Sequence, residues 1–273
     1  MKKIVAFALA ALMVIVMVCS FTSCGYNTLD DIKKNGKLVV YTEAGFAPYE
    51  FISDNKVVGV DIEIMKMVAE KIGVDLDVQD VKFDTIIGAV KSGKADVGAA
   101  GITITEERKK SVSFSDAYSS TEQYVIVSAA GEILAVEDLA GKKIGVQEGT
   151  TSDIMIEGLI KDGTIEGASM VPYTDPATAA VGIGTKVDAV VTDKLTAQNI
   201  VNASKGALKT DKLLKKDGSD ASEVENYGMT VHKGNDALME VINTVIAECL
   251  ANGKISEWEK YYSDLYKAEN PDG

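Results

Sequence analysis

Histidine and cysteine are scarce in this chain of 273 residues, which contains one histidine and three cysteines. Because His232 stands alone and no Cys-x-x-Cys pair or calcium-binding loop occurs, the sequence argues against metal sites and Ser/His catalysis. We therefore expect neither a metal nor a cofactor. The Val-His-Lys-Gly setting of His232 is typical of a strand end. Cys249 lies in an apolar helical pattern, where we expect a buried thiol without an internal disulfide partner.

The amino terminus has the composition of a targeting segment. A short basic start precedes an apolar run over residues 4–18, which is as long as a signal-peptide core and short for a bilayer-spanning helix. Small residues then precede Cys24, although Phe21 stands where an aliphatic residue is usual. This arrangement resembles the processing box of bacterial lipoproteins, which implies a signal peptide over residues 1–23 and a membrane-anchoring lipid on Cys24. The alternative is a plain secretory signal with an incidental cysteine.

Basic side chains are fewer than acidic ones. Removal of residues 1–23 takes away Lys2 and Lys3 but no acid, and leaves 26 basic against 41 acidic side chains, a net charge of −15. Such a surface repels nucleic acid and anionic membrane faces. We therefore expect no nucleic-acid partner.

Strands alternate with helices twice along the chain, in the order β-α-β-α-β each time. In the first half, the apolar patterns predict strands over 37–41, 74–78 and 96–100 and helices over 61–72 and 84–92. In the second half, they predict strands over 143–146, 170–173 and 188–192 and helices over 151–161 and 176–184. This alternation predicts mainly parallel sheets flanked by helices. One continuous doubly wound sheet is the alternative to two lobes.

Two long β-rich runs, over residues 118–128 and 227–232, connect the halves and predict a two-strand hinge. We therefore favour two lobes. The expected bounds are 24–35 for an anchor and short tether, 36–126 plus 229–267 for a discontinuous first lobe, and 127–228 for the second lobe. Helical patterns over 236–250 and 255–266 are expected to pack back on the first lobe.

The segment Gly101-Ile-Thr-Ile-Thr-Glu-Glu-Arg108 carries the chemistry most typical of a ligand site. Thr103 supplies a hydroxyl and Arg108 a guanidinium, and a fixed arginine beside a hydroxyl can hold a small carboxylate through forked, charge-assisted hydrogen bonds. Thr105 can cap the short helical turn that carries the arginine. The alternative is an exposed turn with an ordinary arginine.

Other predicted strand ends also carry polar or aromatic side chains. In open parallel sheets, ligands bind beyond the carboxyl ends of the strands. These ends carry Glu43, Phe46, Tyr49, Gln147, Thr150, Thr151, Ser152 and Asp193. Residues 149–152 stand at a helix start, where free N–H groups and the helix dipole attract anions. The structural alternatives are ordinary helix caps at 149–152 and at Asp193, a core aromatic at Phe46 and a solvated acid at Glu43.

Several short motifs recur together in one known family. They are Glu43-Ala-Gly-Phe-Ala-Pro-Tyr-Glu-Phe51, Val58-Gly-Val-Asp61, Lys91-Ser-Gly-Lys-Ala-Asp96, Gly101-Ile-Thr-Ile-Thr-Glu-Glu-Arg-Lys109, Phe114-Ser-Asp116, Gly149-Thr-Thr151, Asp188-Ala-Val-Val-Thr-Asp193 and Tyr227-Gly228. The Thr-Ile-Thr-x-x-Arg-Lys element followed by Phe-Ser-Asp is the most specific. With these motifs the chain resembles, over roughly residues 30–266, the extracytoplasmic amino-acid-binding proteins of ABC importers, solute-binding protein family 3. The resemblance implies an α/β fold of the type II periplasmic-binding-protein kind and a membrane permease as partner. The sequence does not reveal the oligomeric state, and we assume a monomer.

The resemblance also implies a role for each site residue. At the ligand's carboxylate it places Arg108, Thr103 and Thr151, helped by Thr150 or Ser152. At the ligand's ammonium it places the carbonyl of Gly101, where some relatives have serine, and Asp193. Around the ligand's side chain it places Phe46, Gln147 and Glu43, and Tyr49 is expected to cover an apolar part. An acid at the position of Glu43 contacts cationic side chains in some relatives, which favours a basic or polar amino acid.

The main hypothesis is capture by closure, in which the first lobe takes the amino acid and the second swings in to complete the site. Two alternatives remain open. The first is an extracytoplasmic dehydratase on the same architecture, with Glu43 or Glu148 as proton donor. The second is a binding module that reports to a receptor instead of feeding an importer.

Overall fold

The computed structural model describes residues 25–132 and 134–270. The predicted signal peptide and Cys24 lie outside the described residues. Within them, the chain forms two α/β lobes, as the repeated strand and helix pattern predicts, and each lobe has its own five-stranded sheet.

The first lobe is built on a mixed sheet whose central strands run parallel. Its strands, in spatial order, are β5 (Asp75–Asp80), β1 (Lys37–Thr42), β6 (Val97–Gly98), β15 (Thr230–His232) and β7 (Val112–Phe114). Strands β5, β1 and β6 are parallel, whereas β15 runs antiparallel to both of its neighbours. The parallel strands are joined by helices α2 (Val60–Ile72) and α3 (Phe83–Lys91). Because both faces are covered, the central strand residues are fully buried, including Val40 and Val97.

The second lobe repeats this plan. Its strands, in spatial order, are β11 (Ser169–Tyr173), β10 (Lys143–Gln147), β12 (Ala189–Asp193), β9 (Gln123–Ser128) and β13 (Leu208–Lys212). Its helices are α5 (Thr151–Lys161), α6 (Pro176–Val181) and α7 (Lys194–Ala203), with a 3₁₀ turn over Val136–Leu139. The first three strands are parallel and the last two are antiparallel additions. The order β-α-β-α-β that the sequence predicts in both halves therefore occurs in both lobes, with the same arrangement of parallel strands.

The hinge consists of two short strands, β8 (Ser119–Thr121) and β14 (Glu225–Tyr227), which pair in antiparallel orientation. This arrangement agrees with the expected two-strand connection. The expected lobe boundary at residue 126 falls inside β9, however, and β9 pairs with the second sheet. The period-2 pattern of residues 118–128 identifies a strand but carries no information about the sheet that the strand joins.

Smaller elements complete the first lobe. They are helix α1 (Leu29–Asn35), helix α4 (Glu106–Lys109) and the three-stranded sheet β2 (Gly45–Phe46), β3 (Glu50–Ser53) and β4 (Lys56–Val58). Thr28 and Asp31 form a capping box at the start of α1, and Ile32 is fully buried in the first-lobe core. Residues 29–35 are therefore part of the lobe, and the expected tether shortens to the few residues that precede them.

Two C-terminal helices follow the second crossing. Helix α8 (Asp236–Ala251) packs on α2, as expected for the first lobe. Helix α9 (Lys254–Glu269) contacts α2 and α8 but also α7 of the second lobe, where Asn199 Nδ2 donates to Ser263 Oγ at 3.3 Å. The expectation of packing on the first lobe alone is thus incomplete. In the described part of the chain, no helix has both the length and the apolar character needed to span a bilayer.

The scarce residues occupy structural positions. Cys249 is a buried free thiol, as its helical pattern predicts. His232 ends strand β15, and its ring stacks on Tyr26 with 4.2 Å between the ring centroids.

Candidate functional site

A small cavity lies between the lobes, at the carboxyl ends of the parallel strands. The first lobe lines it with Phe46, Phe83, Ala100, Gly101, Thr103 and Arg108. The second lobe lines it with Gln147, Thr150, Thr151, Ser152, Thr192 and Asp193. All of the residues predicted for the site line this cavity except Glu43 and Tyr49. Parallel strands place their ends at one edge of each sheet, which is why residues far apart in sequence meet here.

Arg108 is the single arginine of the chain and spans the two lobes. Thr105 caps helix α4 by accepting from the backbone N–H of Arg108, as predicted. The guanidinium donates through Nη1 to the carbonyl of Thr103 at 2.8 Å and through Nη2 to the carbonyl of Gly149 at 3.0 Å. Burial lowers the pKa of Arg108, while the charges of Glu225 and Asp193 act in the opposite direction. The alternative of an ordinary exposed arginine is wrong.

Asp193 is a buried acid that the second lobe contributes to the cavity wall. Its Oδ1 accepts from Gln123 Nε2 at 2.7 Å, and its Oδ2 accepts a hydrogen bond from the hydroxyl of Tyr227. Burial, followed by the charge of Glu225, raises the pKa of Asp193 to about 7. Although Asp193 stands at the N-cap position of α7, its side chain makes no capping hydrogen bond. The capping alternative is therefore wrong, and the carboxylate faces the cavity instead.

The start of helix α5 supplies hydroxyl and N–H groups from the second lobe. Thr150 is the N-cap, since its hydroxyl accepts from the N–H of Asp153, and it also donates to the carbonyl of Gln147 at 2.8 Å. The N–H groups of Thr151 and Ser152 belong to the first turn, where no intrahelical acceptor exists. This end of the cavity thus combines a helix N-terminus with the Arg108 guanidinium, which suits a carboxylate.

A cluster of acids lies next to Gln147, which lines the cavity. Glu43 Oε2 accepts from Nε2 of Gln147 at 2.8 Å, a contact between the lobes. Burial, together with the charges of Asp175 and Asp80, raises the pKa of Glu43 to about 7, although the hydrogen bond from Gln147 opposes the shift. Glu43 is therefore neither a solvated loop acid nor a direct part of the cavity wall. It lies behind Gln147, where a cation in the cavity would stabilise its charged form.

Two aromatic side chains line the cavity in the first lobe. Phe46 was predicted, whereas the sequence analysis missed Phe83, the first residue of α3, whose ring centroid lies 5.5 Å from Arg108 Cζ. The sequence could have indicated Phe83, because this residue follows the end of strand β5 as other site residues follow the ends of their strands. The prediction for Tyr49 is not supported. Tyr49 is 1% exposed, packs against the Phe46 ring at 5.9 Å, and directs its hydroxyl to Ser119 Oγ at 3.0 Å.

Gly101 has a conformation and surroundings that exclude a side chain. Its φ is +52°, and a Cβ atom would lie 2.8 Å from Cε1 of Phe46. Its N–H donates to Oδ2 of Asp61 at 3.0 Å, which fixes the peptide at the cavity floor.

Two fully buried carboxyl groups lie below Gly101. Asp61 accepts from the hydroxyl of Tyr118 at 2.7 Å, and burial raises its pKa to about 7. Both oxygens of Glu50 are buried, and neither accepts a hydrogen bond. Burial, followed by the charge of Asp61, raises the pKa of Glu50 well above its usual range. This burial therefore disfavours the charged form of Glu50.

The sequence analysis missed two further residues near the site, Gln123 at the start of β9 and Glu225 on hinge strand β14. Gln123 Nε2 lies within hydrogen-bond distance of Asp193 and of Glu225 Oε1, the latter at 2.8 Å, and its Oε1 accepts from Ser152. Oε2 of Glu225 accepts from the Thr103 hydroxyl at 2.8 Å. Neither residue follows a parallel strand, so the expectation that ligands bind beyond the carboxyl ends of such strands could not identify them.

The enzyme alternative finds little support among these residues. Glu148 is exposed and does not line the cavity, and Glu43 is separated from it by Gln147. In residues 25–132 and 134–270, no group of three or more histidine, cysteine, aspartate or glutamate side chains could hold a metal ion.

Several known proteins share sequence and fold with this chain. The family model described as bacterial extracellular solute-binding proteins, family 3, matches residues 38–264. The arginine-binding extracellular protein ArtP of Bacillus subtilis is 34% identical over 145 residues, which cover 52% of this chain and 57% of ArtP. The L-cystine-binding protein TcyJ of Escherichia coli is 29% identical over 83% of this chain and 82% of TcyJ.

A solved structure has the same two-lobe fold. The arginine-bound form of truncated ArgBP from T. maritima superposes with a TM-score of 0.71, is 36% identical, and covers 80% of this chain and 99% of its own. The fold is therefore that of the type II periplasmic binding proteins, as the resemblance implies. The chain belongs to the bacterial extracellular solute-binding proteins of family 3, and this family works outside the cytoplasm.

Proposed function

We propose that this protein captures a cationic amino acid, with arginine as the first candidate, between its lobes and delivers it to an ABC permease. The relatives named above bind arginine or cystine, so an amino acid is the shared ligand class. The observation that carries the cationic preference is the acidic cluster of Glu43, Asp80 and Asp175 behind Gln147. A guanidinium near Gln147 would be attracted by these charges and would lower the pKa of Glu43.

The two ends of the ligand's backbone are assigned to the two polar sides of the cavity. Arg108 and the N–H groups of Thr151 and Ser152 would hold the carboxylate, because they combine a guanidinium with a helix N-terminus. Asp193 and the carbonyl of Gly101 would accept from the ammonium. The rings of Phe46 and Phe83 would pack on the aliphatic stem and the guanidinium of arginine.

Closure of the lobes would complete this site. Arg108 donates to Gly149 across the cleft, and Gln147 donates to Glu43 across it. A Cβ at Gly149 would lie 3.0 Å from Cβ of Asp84, so glycine allows this close approach of the lobes. A ligand that contacts both lobes favours the closed form by the difference between its affinities for the two forms. That closed form is the one we expect the permease to receive.

Binding of arginine tests the proposal. A thermal-shift screen of the twenty amino acids plus cystine and ornithine should give its largest shifts with arginine, lysine and ornithine. Isothermal titration calorimetry then compares the protein with Glu43→Gln. This change should weaken arginine binding about tenfold or more, because a charged partner is lost. Glutamine should bind both proteins within about threefold of each other.

Glu148→Gln is the matched control, because it removes an acid from the exposed rim that does not line the cavity. It should leave arginine affinity unchanged. Stabilisation by neutral amino acids alone would refute the cationic preference. Absence of binding by any amino acid would refute the proposed function.

We also infer a lipid anchor on Cys24, processed after residue 23, and a monomeric binding protein without enzymatic activity. The motif before Cys24 supports the anchor, and the names of the relatives as binding proteins support the absence of catalysis. Mass spectrometry of the mature protein should find a diacylglyceryl group on Cys24 that Cys24→Ser removes. Incubation with prephenate or arogenate should yield no product. Size-exclusion chromatography should give the mass of one chain.

A further inference from the structure

Residues 25–27, here called the entry segment, are fixed to the first lobe. The ring of Tyr26 stacks on the ring of His232 with 4.2 Å between the ring centroids, and its hydroxyl donates to the carbonyl of Gly234 at 2.9 Å. A Cβ atom at Gly93 would lie 2.9 Å from the Cα of Tyr26, so the segment passes closely over the loop that precedes β6. Tyr26 is therefore held by two parts of the lobe that are remote in sequence.

Asn27 makes two further contacts to the same lobe. Its Nδ2 donates to Oδ1 of Asp96 at 2.9 Å, and its carbonyl accepts from Nδ2 of Asn235 at 3.0 Å. Oδ2 of Asp96 accepts from the N–H of Val39 in β1 at 2.8 Å, so the contact reaches the central sheet. The entry segment is thus part of the folded lobe and does not act as a free tether.

The entry segment lies at the edge of the first-lobe sheet that is opposite to the cavity. Gly93 and Asp96 precede the parallel strand β6, and His232 ends β15, which runs antiparallel to β6. These positions mark the amino-terminal edge of the parallel strands, whereas the cavity lies at their carboxyl ends. Strand β1 has six residues, so about 20 Å of extended chain separates the two edges.

Only a short stretch of chain joins the entry segment to Cys24. Consecutive Cα atoms are about 3.8 Å apart, so the Cα atoms of Cys24 and Tyr26 are separated by at most about 7.6 Å. A lipid on Cys24 inserts its acyl chains into the bilayer and keeps this cysteine at the membrane surface. The amino-terminal edge of the sheet must then lie close to the same surface.

The charges beside the entry segment suit anionic lipid headgroups. Lys94 follows Gly93 directly, and Lys233 stands between His232 and Gly234, so an exposed lysine flanks Tyr26 on each of its two contacts. Lysines near an anionic surface are attracted to it. Since acidic side chains outnumber basic ones in the whole chain, the rest of the surface is repelled.

We propose that the entry segment holds the lipid-anchored protein with the amino-terminal edge of its first-lobe sheet against anionic lipid headgroups. This inference rests on the proposed function, because it requires the lipid on Cys24. It defines the orientation of the protein on the membrane before the protein meets its permease. Since the attachment involves the first lobe, the second lobe can still move during closure.

Fluorescence quenching in vesicles tests this orientation. Lys82→Cys and Lys91→Cys are the labelling sites, because both lysines are exposed and stand at opposite ends of helix α3, whose nine residues rise about 13 Å. Cys249 is 0% exposed and should not react with the label. The lipidated protein is reconstituted in vesicles of phosphatidylcholine and phosphatidylglycerol that contain a lipid with a nitroxide headgroup. The label at position 91 should be quenched at least about threefold more than the label at position 82.

Two changes to the attachment should remove this difference. Tyr26→Ala combined with Asn27→Ala deletes the side chains that fix the entry segment. A flexible Gly-Ser linker inserted between Gly25 and Tyr26 leaves those contacts intact but lengthens the connection to the lipid. It therefore provides the test should the double variant fail to fold. With either change, the two labels should be quenched nearly equally, because the lobe can turn on the membrane.

Tyr261→Ala combined with Asn270→Ala is the matched control, because it removes the same two residue types from the region of helix α9. It should keep the difference in quenching. Arginine affinity should stay within about threefold of the unmodified protein in all of these variants, because the cavity lies at the other edge of the sheet. This measurement also checks that they are folded.

The contribution of charge is tested separately. Lys94→Glu combined with Lys233→Glu should lower the difference in quenching to about half or less in the same vesicles, because attraction to the headgroups becomes repulsion. Lys186→Glu combined with Lys215→Glu changes two exposed lysines of the second lobe and should have a smaller effect. An unchanged difference in the first of these variants would refute the role of the two lysines.

Equal quenching at the two positions in the lipidated protein would overturn the proposed orientation. A difference that persists after the linker insertion would overturn the role of the entry segment. If mass spectrometry finds no lipid on Cys24 and the protein does not associate with vesicles, the anchor inferred under the proposed function fails, and this orientation fails with it. Arginine binding by the same preparation then shows whether amino-acid capture still holds.

Discussion

Replacement of Arg108 by alanine is expected to remove most of the binding energy for the ligand's carboxylate. The guanidinium is buried and bonds to two carbonyl oxygens, of Thr103 at 2.8 Å and of Gly149 at 3.0 Å, one in each lobe. A carboxylate bound here would face a desolvated cation, and loss of one partner of such a pair costs about 2–5 kcal/mol. At about 1.4 kcal/mol per tenfold change, arginine affinity should fall roughly 30-fold to 5,000-fold.

Two variants beside this one separate charge from geometry. Arg108→Lys keeps a positive charge, but the lysine ammonium cannot make the two parallel hydrogen bonds of a planar guanidinium. We therefore expect its arginine affinity to lie between that of the unmodified protein and that of Arg108→Ala. Lys109→Ala is the matched control, because Lys109 makes an exposed ion pair with Glu106 at 2.8 Å on the same short helix. It should change arginine affinity by less than about threefold.

Isothermal titration calorimetry at one pH and one salt concentration measures all four proteins. Thermal unfolding without ligand checks that each variant is folded. Arginine affinity in folded Arg108→Ala that stays within about threefold of the unmodified protein would refute the assignment of the carboxylate to Arg108.

Two further predictions follow from the burial of the site. Folding raises the pKa of Glu43, Asp61 and Asp193 to about 7, so the folded protein binds more protons than the unfolded chain between about pH 4 and pH 7. The free energy of unfolding without ligand should therefore be at least about 1 kcal/mol higher at about pH 5.5 than at about pH 8, measured by urea unfolding. Gly101→Ala should lower this free energy by about 1–3 kcal/mol at constant pH, because its φ is +52° and its Cβ would lie 2.8 Å from the Phe46 ring.

Both predictions have clear contradictory outcomes. The stabilising effect of acid is present at low pH and is lost as the pH rises through the folded-state pKa, so stability that rises between these pH values would contradict the proton linkage. Gly158→Ala is a control for the glycine change, since Gly158 lies inside helix α5 with open space around it. Equal stability losses for the two glycine changes would contradict the role given to the Phe46 contact.

The sequence analysis expected ligand-binding side chains beyond the carboxyl ends of the parallel strands, and this expectation located several residues of the cavity. Arg108, Thr150 and Asp193 all follow apolar strands, and all line the cavity. The same expectation correctly included Phe46, but it also included Tyr49, three residues later, which does not line the cavity. Tyr49 is buried and points to Ser119, because the turn after β2 directs it into the core. Alternation along a loop does not determine which side chains reach a cavity.

The hinge shows the limit of local patterns. The β-rich run over residues 118–128 correctly predicted extended chain between the lobes, but it contains two strands that join different sheets. Gln123 lies in β9 and Glu225 lies in hinge strand β14, and nothing in their sequence neighbourhood distinguishes them from ordinary polar residues of a β-strand. Their role follows only from partners that are remote in sequence.

The sequence by itself determined the elements and the types of side chain at their ends. Apolar periodicity, helix caps and glycines act over a few residues, so they predicted both β-α-β-α-β halves and the position of Arg108 after a strand. The tertiary structure alone decided the pairing of groups across the cleft and the burial that raises the pKa of Asp193. Thr103 and Glu225, for example, are 122 residues apart and meet through one hydrogen bond. Such contacts depend on how the sheets and lobes pack, and the local propensities of the sequence do not determine that packing.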